Sequence, residues 1–166
     1  NLWITNLKTV DNAKKLDKFG KVFLESIRKI TFDRKKSCIL DPSAEKILVP
    51  SDSKNFDYYI FGGILGDFPP KKRTKKELTE FMPYIETRNI GKEQMSTDNA
   101  VYTVKQIIEN GKTMEDLKFT DEASIEINDI ESVELPYRYN LVGEKGKEKP
   151  LMSPKIVEYL KNKQGF

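Results

Sequence analysis

At residues 56–61 the chain reads Phe-Asp-Tyr-Tyr-Ile-Phe and then breaks at once into Gly62-Gly63-Ile64-Leu65-Gly66-Asp67. Aromatic and β-branched residues in such density predict a strand. A glycine-rich loop directly after a strand is where an open α/β sheet brings ligands close to backbone, at the carboxyl ends of its strands. A plain turn would also account for glycines there. The loop is not a P-loop, because no Gly-Lys-Ser/Thr follows, and its glycine spacing is not that of the dinucleotide fingerprint.

The rest of the chain alternates strand-like and helix-like segments. Residues 2–7 alternate apolar and polar, which predicts a strand. Phe19, Val22, Phe23, Ile27 and Ile30 recur every three or four residues, the spacing of one helical face. Residues 37–40 and 47–49 are short apolar runs, stopped by Asp41-Pro42 and Pro50. Thr74 with Glu77 makes a capping box for a helix over 75–82, which Pro83 ends. Residues 84–90 form a strand candidate ending at Gly91. Ser96, Thr97 and Asp98 offer caps for a helix whose face is Ala100, Val101, Val104, Ile107 and Ile108, and Gly111 stops it. Residues 124–128 alternate again, and 132–139 form a second late strand that Pro136 demotes to an edge or a loop. Ser153-Pro154 opens a last helix with Ile156, Val157 and Leu160 on one stripe. Such alternation predicts an α/β fold with a mostly parallel sheet flanked by helices. With 166 residues and no low-complexity linker, a single domain over 1–166 is expected.

Residue usage removes several chemistries. The sequence contains no histidine, so a Ser-His-Asp triad cannot form. A single cysteine, Cys38, cannot make an intramolecular disulfide or build a zinc site, and it reads as a small core residue. No metal is expected. A general base must be Asp, Glu, Lys, Tyr or water. No run approaches the ~20 apolar residues that span a bilayer, and the first residues lack a signal-peptide pattern. The expectation is a cytoplasmic protein without a membrane partner. A net charge of +3 is weak for a dedicated nucleic-acid binder. Basic residues are nevertheless clustered at Lys71, Lys72, Arg73, Lys75 and Lys76. Such a cluster either contacts RNA phosphates or an acidic protein face, or is a solvated loop.

Three loops that follow strands carry polar or glycine residues: 62–67, Arg88-Asn89-Ile90-Gly91 on to Gln94-Met95-Ser96-Thr97-Asp98, and Glu134-Leu135-Pro136-Tyr137-Arg138-Tyr139. At these residues the chain resembles the archaeal and eukaryotic SPOUT methyltransferases known as predicted SAM-dependent RNA methyltransferases. Fungal members of that family methylate arginine on a small-subunit ribosomal protein. Phe61 to Asp67, Pro69 with Arg73-Thr74, Pro150-Leu151 and the other two loops carry the likeness.

The resemblance implies a C-terminal trefoil knot and S-adenosylmethionine as cofactor. It implies cofactor binding by Phe61, Gly62, Gly63, Leu65, Gly66, Arg88, Asn89, Ile90, Gly91, Gln94, Met95, Thr97, Leu135, Pro136, Tyr137, Arg138 and Tyr139. The acceptor is an arginine of a ribosomal protein, with ribosomal or transfer RNA as the alternative and a non-catalytic ribosome-binding module as the reading of another class. Asp67 and Glu134 adjoin the loops as carboxylates able to orient a guanidinium and take its proton. Arg88 is the third catalytic candidate, and Lys71, Lys72 and Arg73 are the substrate-side candidates. Many such enzymes are dimers, so the resemblance also makes a homodimer an expectation.

Overall fold

The computed structural model describes residues 1–63, 73–126 and 132–163. It separates into two compact units, Asn1–Arg34 and Lys35–Phe166.

In the first unit, strand β1 (Trp3–Ile4) is followed by helix α1 (Val10–Leu16), a 3-10 turn (Asp17–Phe19) and strand β2 (Lys21–Val22). Thr9 caps α1 by accepting a hydrogen bond from the Asn12 N–H at 3.2 Å. β1 and β2 pair in parallel. The helix expected through Phe19, Val22, Phe23, Ile27 and Ile30 does not form. The Lys21 N–H bonds to Leu2 O at 2.9 Å and the Phe23 N–H to Ile4 O at 2.8 Å, so the backbone after Gly20 is used by β1 instead. A short 3-10 turn, Ile27–Lys29, follows. The apolar spacing of this stretch comes from a short strand and a turn.

The second unit opens with β3 (Ser37–Leu40), all four residues of which are buried. β4 (Tyr58–Phe61) and β5 (Glu86–Arg88) pair with it in parallel on either side, in the order β4-β3-β5. A strand covered on both faces and flanked by partners on both edges has no solvent side, which explains the unbroken Ser-Cys-Ile-Leu run. Residues 47–49 add only an isolated parallel bridge, Ile47 to Asn89, outside β5.

Helix α2 (Arg73–Glu77) and a 3-10 turn (Thr79–Phe81) replace the expected helix over 75–82. Thr74 lies inside α2 and does not cap it. Met82 and Leu78 anchor this segment in the interior.

Helix α3 (Thr97–Ile108) packs against β4 and against the 3-10 turn Pro50–Lys54. Its Val104 and Ile107 join Cys38, Leu40, Leu48, Phe56 and Ile90 in one core. Val101, expected on this face, is exposed. The inner face takes Asn99 and Thr103 as well, both fully buried. These two polar residues bind the later part of the chain.

β6 (Phe119–Thr120), β9 (Tyr139–Val142) and β10 (Lys149–Pro150) form an antiparallel sheet in the order β10-β9-β6. β7 (Ala123–Glu126) and β8 (Ser132–Leu135) form an antiparallel pair, in which Ala123 and Ile125 point inward and Ser124 and Glu126 outward. Helix α4 (Pro154–Lys163) follows. The fold is thus mixed α/β with a parallel sheet and helices. The expectation of mostly parallel strands holds for β4-β3-β5 and β1-β2, whereas the later strands pair antiparallel. The link from β9 to β10 is a six-residue loop with Gly143 and Gly146 at positive φ, and parallel strands require a far longer crossover.

Candidate functional site

β3, β4 and β5 all end toward one cavity. Leu40, Asp41 and Pro42 reach it from the end of β3, and Phe61 and Gly62 from the end of β4. Ile90 and Gly91 reach it from just beyond β5. Thr74 of α2 and Glu93, Met95, Thr97 and Ala100 complete the wall. The cavity holds about 80 Å³ and opens to solvent at the carboxyl ends of the strands.

Two glycines have specific reasons to be there. A side chain on Gly62 would bring its Cβ to 2.9 Å from Thr74 Oγ1. Glycine therefore lets β4 and α2 meet at the cavity wall. Gly91 has φ +99°, a backbone region that side chains disfavour. The Gly91 N–H donates to Asn89 Oδ1 at 3.1 Å, which fixes the turn. Gly63 differs from both, since no atom of the described residues lies within 4 Å of a Cβ built on it.

Asn89 and Arg88 hold the scaffold behind the cavity. The Asn89 amide donates to Ala44 O at 2.9 Å and to Lys46 O at 3.1 Å. Arg88 is buried. Its Nε and Nη2 donate to the two Asp52 oxygens at 3.0 and 3.1 Å. Its Nη1 donates to Glu86 Oε2 at 3.0 Å and to Thr87 O at 2.8 Å. The Phe56 ring lies 5.1 Å from the guanidinium carbon. Arg88 is thus committed to a structural ion pair, and it is not among the residues lining the cavity.

The third loop reaches the second through backbone. The Arg138 N–H donates to Gln94 O at 2.8 Å, and Met95 and Arg138 form a parallel bridge. Arg138 Nη1 lies 3.6 Å from where a Gly91 Cβ would be. The guanidinium is oriented by Asp121, whose oxygens accept from Nε at 2.8 Å and Nη2 at 2.7 Å, and it stacks 5.5 Å from the Phe119 ring centre. These bonds raise the Arg138 pKa, with the nearby Glu93 carboxylate adding to the effect. Asp121 is lowered in turn, first by its hydrogen bonds to Arg138.

A buried polar clamp joins this region to α3. Asn99 Oδ1 accepts from the Asn140 N–H at 2.8 Å, and the Asn99 amide donates to Leu151 O at 3.0 Å. Thr103 Oγ1 donates to Asn140 Oδ1 at 3.1 Å.

Of the residues selected from sequence, Phe61, Gly62, Ile90, Gly91, Met95 and Thr97 line the cavity. Gly63, Asn89, Gln94 and Arg138 adjoin these. Tyr139 is buried and Tyr137 half-buried, with Leu135 and Pro136 just before them at the end of β8. Glu134 is exposed on β8, opposite Ser124, and is not among the cavity residues. Arg73 starts α2 beside Thr74. Leu65, Gly66, Asp67, Lys71 and Lys72 lie outside the described residues. Sequence reasoning did not select Leu40, Asp41, Pro42, Glu93 and Ala100 for the site, and took Thr74 only as part of the family likeness and as a helix cap. Asp41-Pro42 carried a usable signal, because it follows β3 as Gly62 follows β4. Asp41 is buried, with Oδ1 accepting from the Ser43 N–H at 2.8 Å and Oδ2 from Thr79 Oγ1 at 2.7 Å.

A parallel α/β sheet whose strand ends and glycine turns surround one small cavity defines a ligand-binding domain with its site at the carboxyl edge. The chain belongs to the SFM1-like family of protein arginine N-methyltransferases, whose sequence pattern matches residues 1–165. The protein arginine N-methyltransferase SFM1 of Saccharomyces cerevisiae is 40% identical over 124 residues, which is 75% of this chain. That match spans 57% of the yeast protein's length. The crystal structure of the yeast arginine methyltransferase SFM1 complexed with SAM superposes with a TM-score of 0.86 at 32% identity, covering 100% of this chain and 79% of that one. Its complex with SAH gives 0.84 at 33% identity, over 96% and 80%.

Proposed function

We propose that this chain is an S-adenosylmethionine-dependent methyltransferase that modifies an arginine of a ribosomal protein. One observation carries the reading: Gly62 and Gly91, far apart in sequence, line one cavity and Arg138 Nη1 lies beside Gly91, in a family of arginine methyltransferases. The cavity suits the donor. Apolar side chains from Leu40, Phe61, Ile90 and Met95 can cover a purine, and Gly62 and Gly91 allow close backbone approach. S-adenosylmethionine brings a methyl group already activated by its sulfonium charge.

The protein's own task is then positioning, which can supply ~7 kcal/mol or more of a barrier. Phe61, Gly62, Gly63 and the turn from Ile90 to Thr97 hold the nucleoside, and the 135–139 loop closes one side. Asp41 is the buried carboxylate of the cavity wall, held by Ser43 and Thr79. It orients the acceptor guanidinium and takes its proton, the role sequence reasoning assigned to Asp67 and Glu134. Arg88 supports the β5 turn through Asp52. Arg73 and the neighbouring lysines meet the ribosomal surface. A SPOUT-type trefoil knot in the C-terminal part accords with the close docking of Arg138, Asn140 and Leu151 on residues 94–103.

Incubation with methyl-labelled cofactor and ribosomes tests this reading. Label should survive RNase and be removed by protease, and acid hydrolysis should yield methylarginine. Label removed by RNase would instead make RNA the acceptor. Gly63→Val is the control. Among the described residues no atom meets its Cβ, so it should fold with stability within about 0.5 kcal/mol of wild type and bind no cofactor. Full cofactor affinity in Gly63→Val, or no labelling by the wild type, would sink the proposal.

A further inference from the structure

Glu93 and Arg138 are 45 positions apart in sequence, yet the backbone bond from the Arg138 N–H to Gln94 O sets them side by side. Glu93 lines the cavity. Arg138 Nη1 lies over Gly91, which also lines it. Asp121 takes Nε and Nη2. It therefore fixes the plane of the guanidinium, and among the described residues Nη1 has no acceptor. Asp41, the other carboxylate of the cavity wall, is already held by Ser43 and Thr79, so the rim beside Gly91 presents the Glu93 carboxylate and one free guanidinium edge. A ligand end with a single charge would gain from one and be repelled by the other. An α-amino-acid end, with an ammonium and a carboxylate on one carbon, matches both.

We propose that Glu93 and Arg138 form a zwitterion clamp that selects the methionyl end of the donor, Arg138 Nη1 holding its carboxylate and Glu93 its ammonium. This rests on the methyl-donor reading. The clamp makes the cavity specific for nucleosides that keep the amino-acid tail. Asp121 and Phe119 act behind it as positioning residues, holding the guanidinium edge toward the rim.

Two adenosine thioethers separate the contributions by calorimetry. S-adenosylhomocysteine carries both tail charges, whereas 5′-methylthioadenosine has the same nucleoside and sulfur without them. Wild type should bind S-adenosylhomocysteine more tightly. Arg138→Gln should weaken S-adenosylhomocysteine about 10- to 100-fold, the scale of a charged hydrogen-bond pair, and change methylthioadenosine less than about twofold. Arg138→Lys should recover part of the loss, because it restores the charge without the fork. Glu93→Gln should also weaken only the charged ligand. Retained methylthioadenosine binding shows that each variant is folded. Equal losses for both ligands in Arg138→Gln would make Arg138 a structural residue and overturn the clamp. So would a wild type that binds the two ligands equally, although the donor reading would then stand. A wild type that binds neither ligand would end both.

Discussion

Replacing Asn99 by alanine tests whether α3 holds the later chain by polar contacts. In the native fold the Asn99 side chain satisfies two backbone groups, the Asn140 N–H at 2.8 Å and Leu151 O at 3.0 Å. Asn99 is 0% exposed and Asn140 1%, so water has no route to replace the side chain. Each group left without a partner costs about 1–3 kcal/mol. The two together, with the small void left behind, predict a loss of about 3–5 kcal/mol. That is a large share of the roughly 5–15 kcal/mol that holds a typical domain together. For a chain of this size the melting midpoint should fall by roughly 6–20 °C. Urea unfolding followed by far-ultraviolet circular dichroism is the suitable assay, because the single tryptophan, Trp3, lies in the other unit. Val101→Ala, on the exposed side of the same helix, should stay within about 0.5 kcal/mol of wild type. A loss below about 1 kcal/mol for Asn99→Ala would show that water satisfies both groups and that the clamp is not structural.

Arg88→Met should cost about 3–5 kcal/mol by stranding the buried Asp52 carboxylate. The double variant with Asp52→Asn should recover more than half in thermal melts, since an asparagine oxygen can still accept from the Val49 N–H. Burial pushes the Cys38 thiol from its ordinary value of 9.0 up to about 12, and Tyr59 from 10.0 to about 12. Above pH 9 the unfolded chain loses these protons while the folded chain keeps them, so stability should decline steadily from about pH 9 toward 12. Cys38→Ser should flatten the first part of that decline in pH-dependent urea titrations. For the same reason Cys38 should resist thiol reagents at pH 8 until the protein unfolds.

Local pattern was readable wherever one residue type answers to one backbone need. The apolar run of β3, the aromatic run of β4, the glycine after it and the helix from Thr97 were all legible. So was the inert character of Cys38, from its isolation in a chain without histidine. The 19–30 segment misled because a spacing of three and four also arises when short strands and turns bury alternate residues. Glu93 lies in the second polar loop but was not selected there, because a single acidic residue ahead of a helix has no pattern of its own.

Sequence alone determined the α/β class, the strand-end positions of Gly62 and Gly91, and the absence of histidine from this chain. These follow from residue type and near neighbours. Only the tertiary structure decided that Arg88 pairs with Asp52 behind the cavity, that Asp41 enters its wall, and that Arg138 comes to rest beside Glu93. Those outcomes depend on contacts between residues 36 to 45 positions apart, set by sheet register and helix docking, which no local pattern encodes.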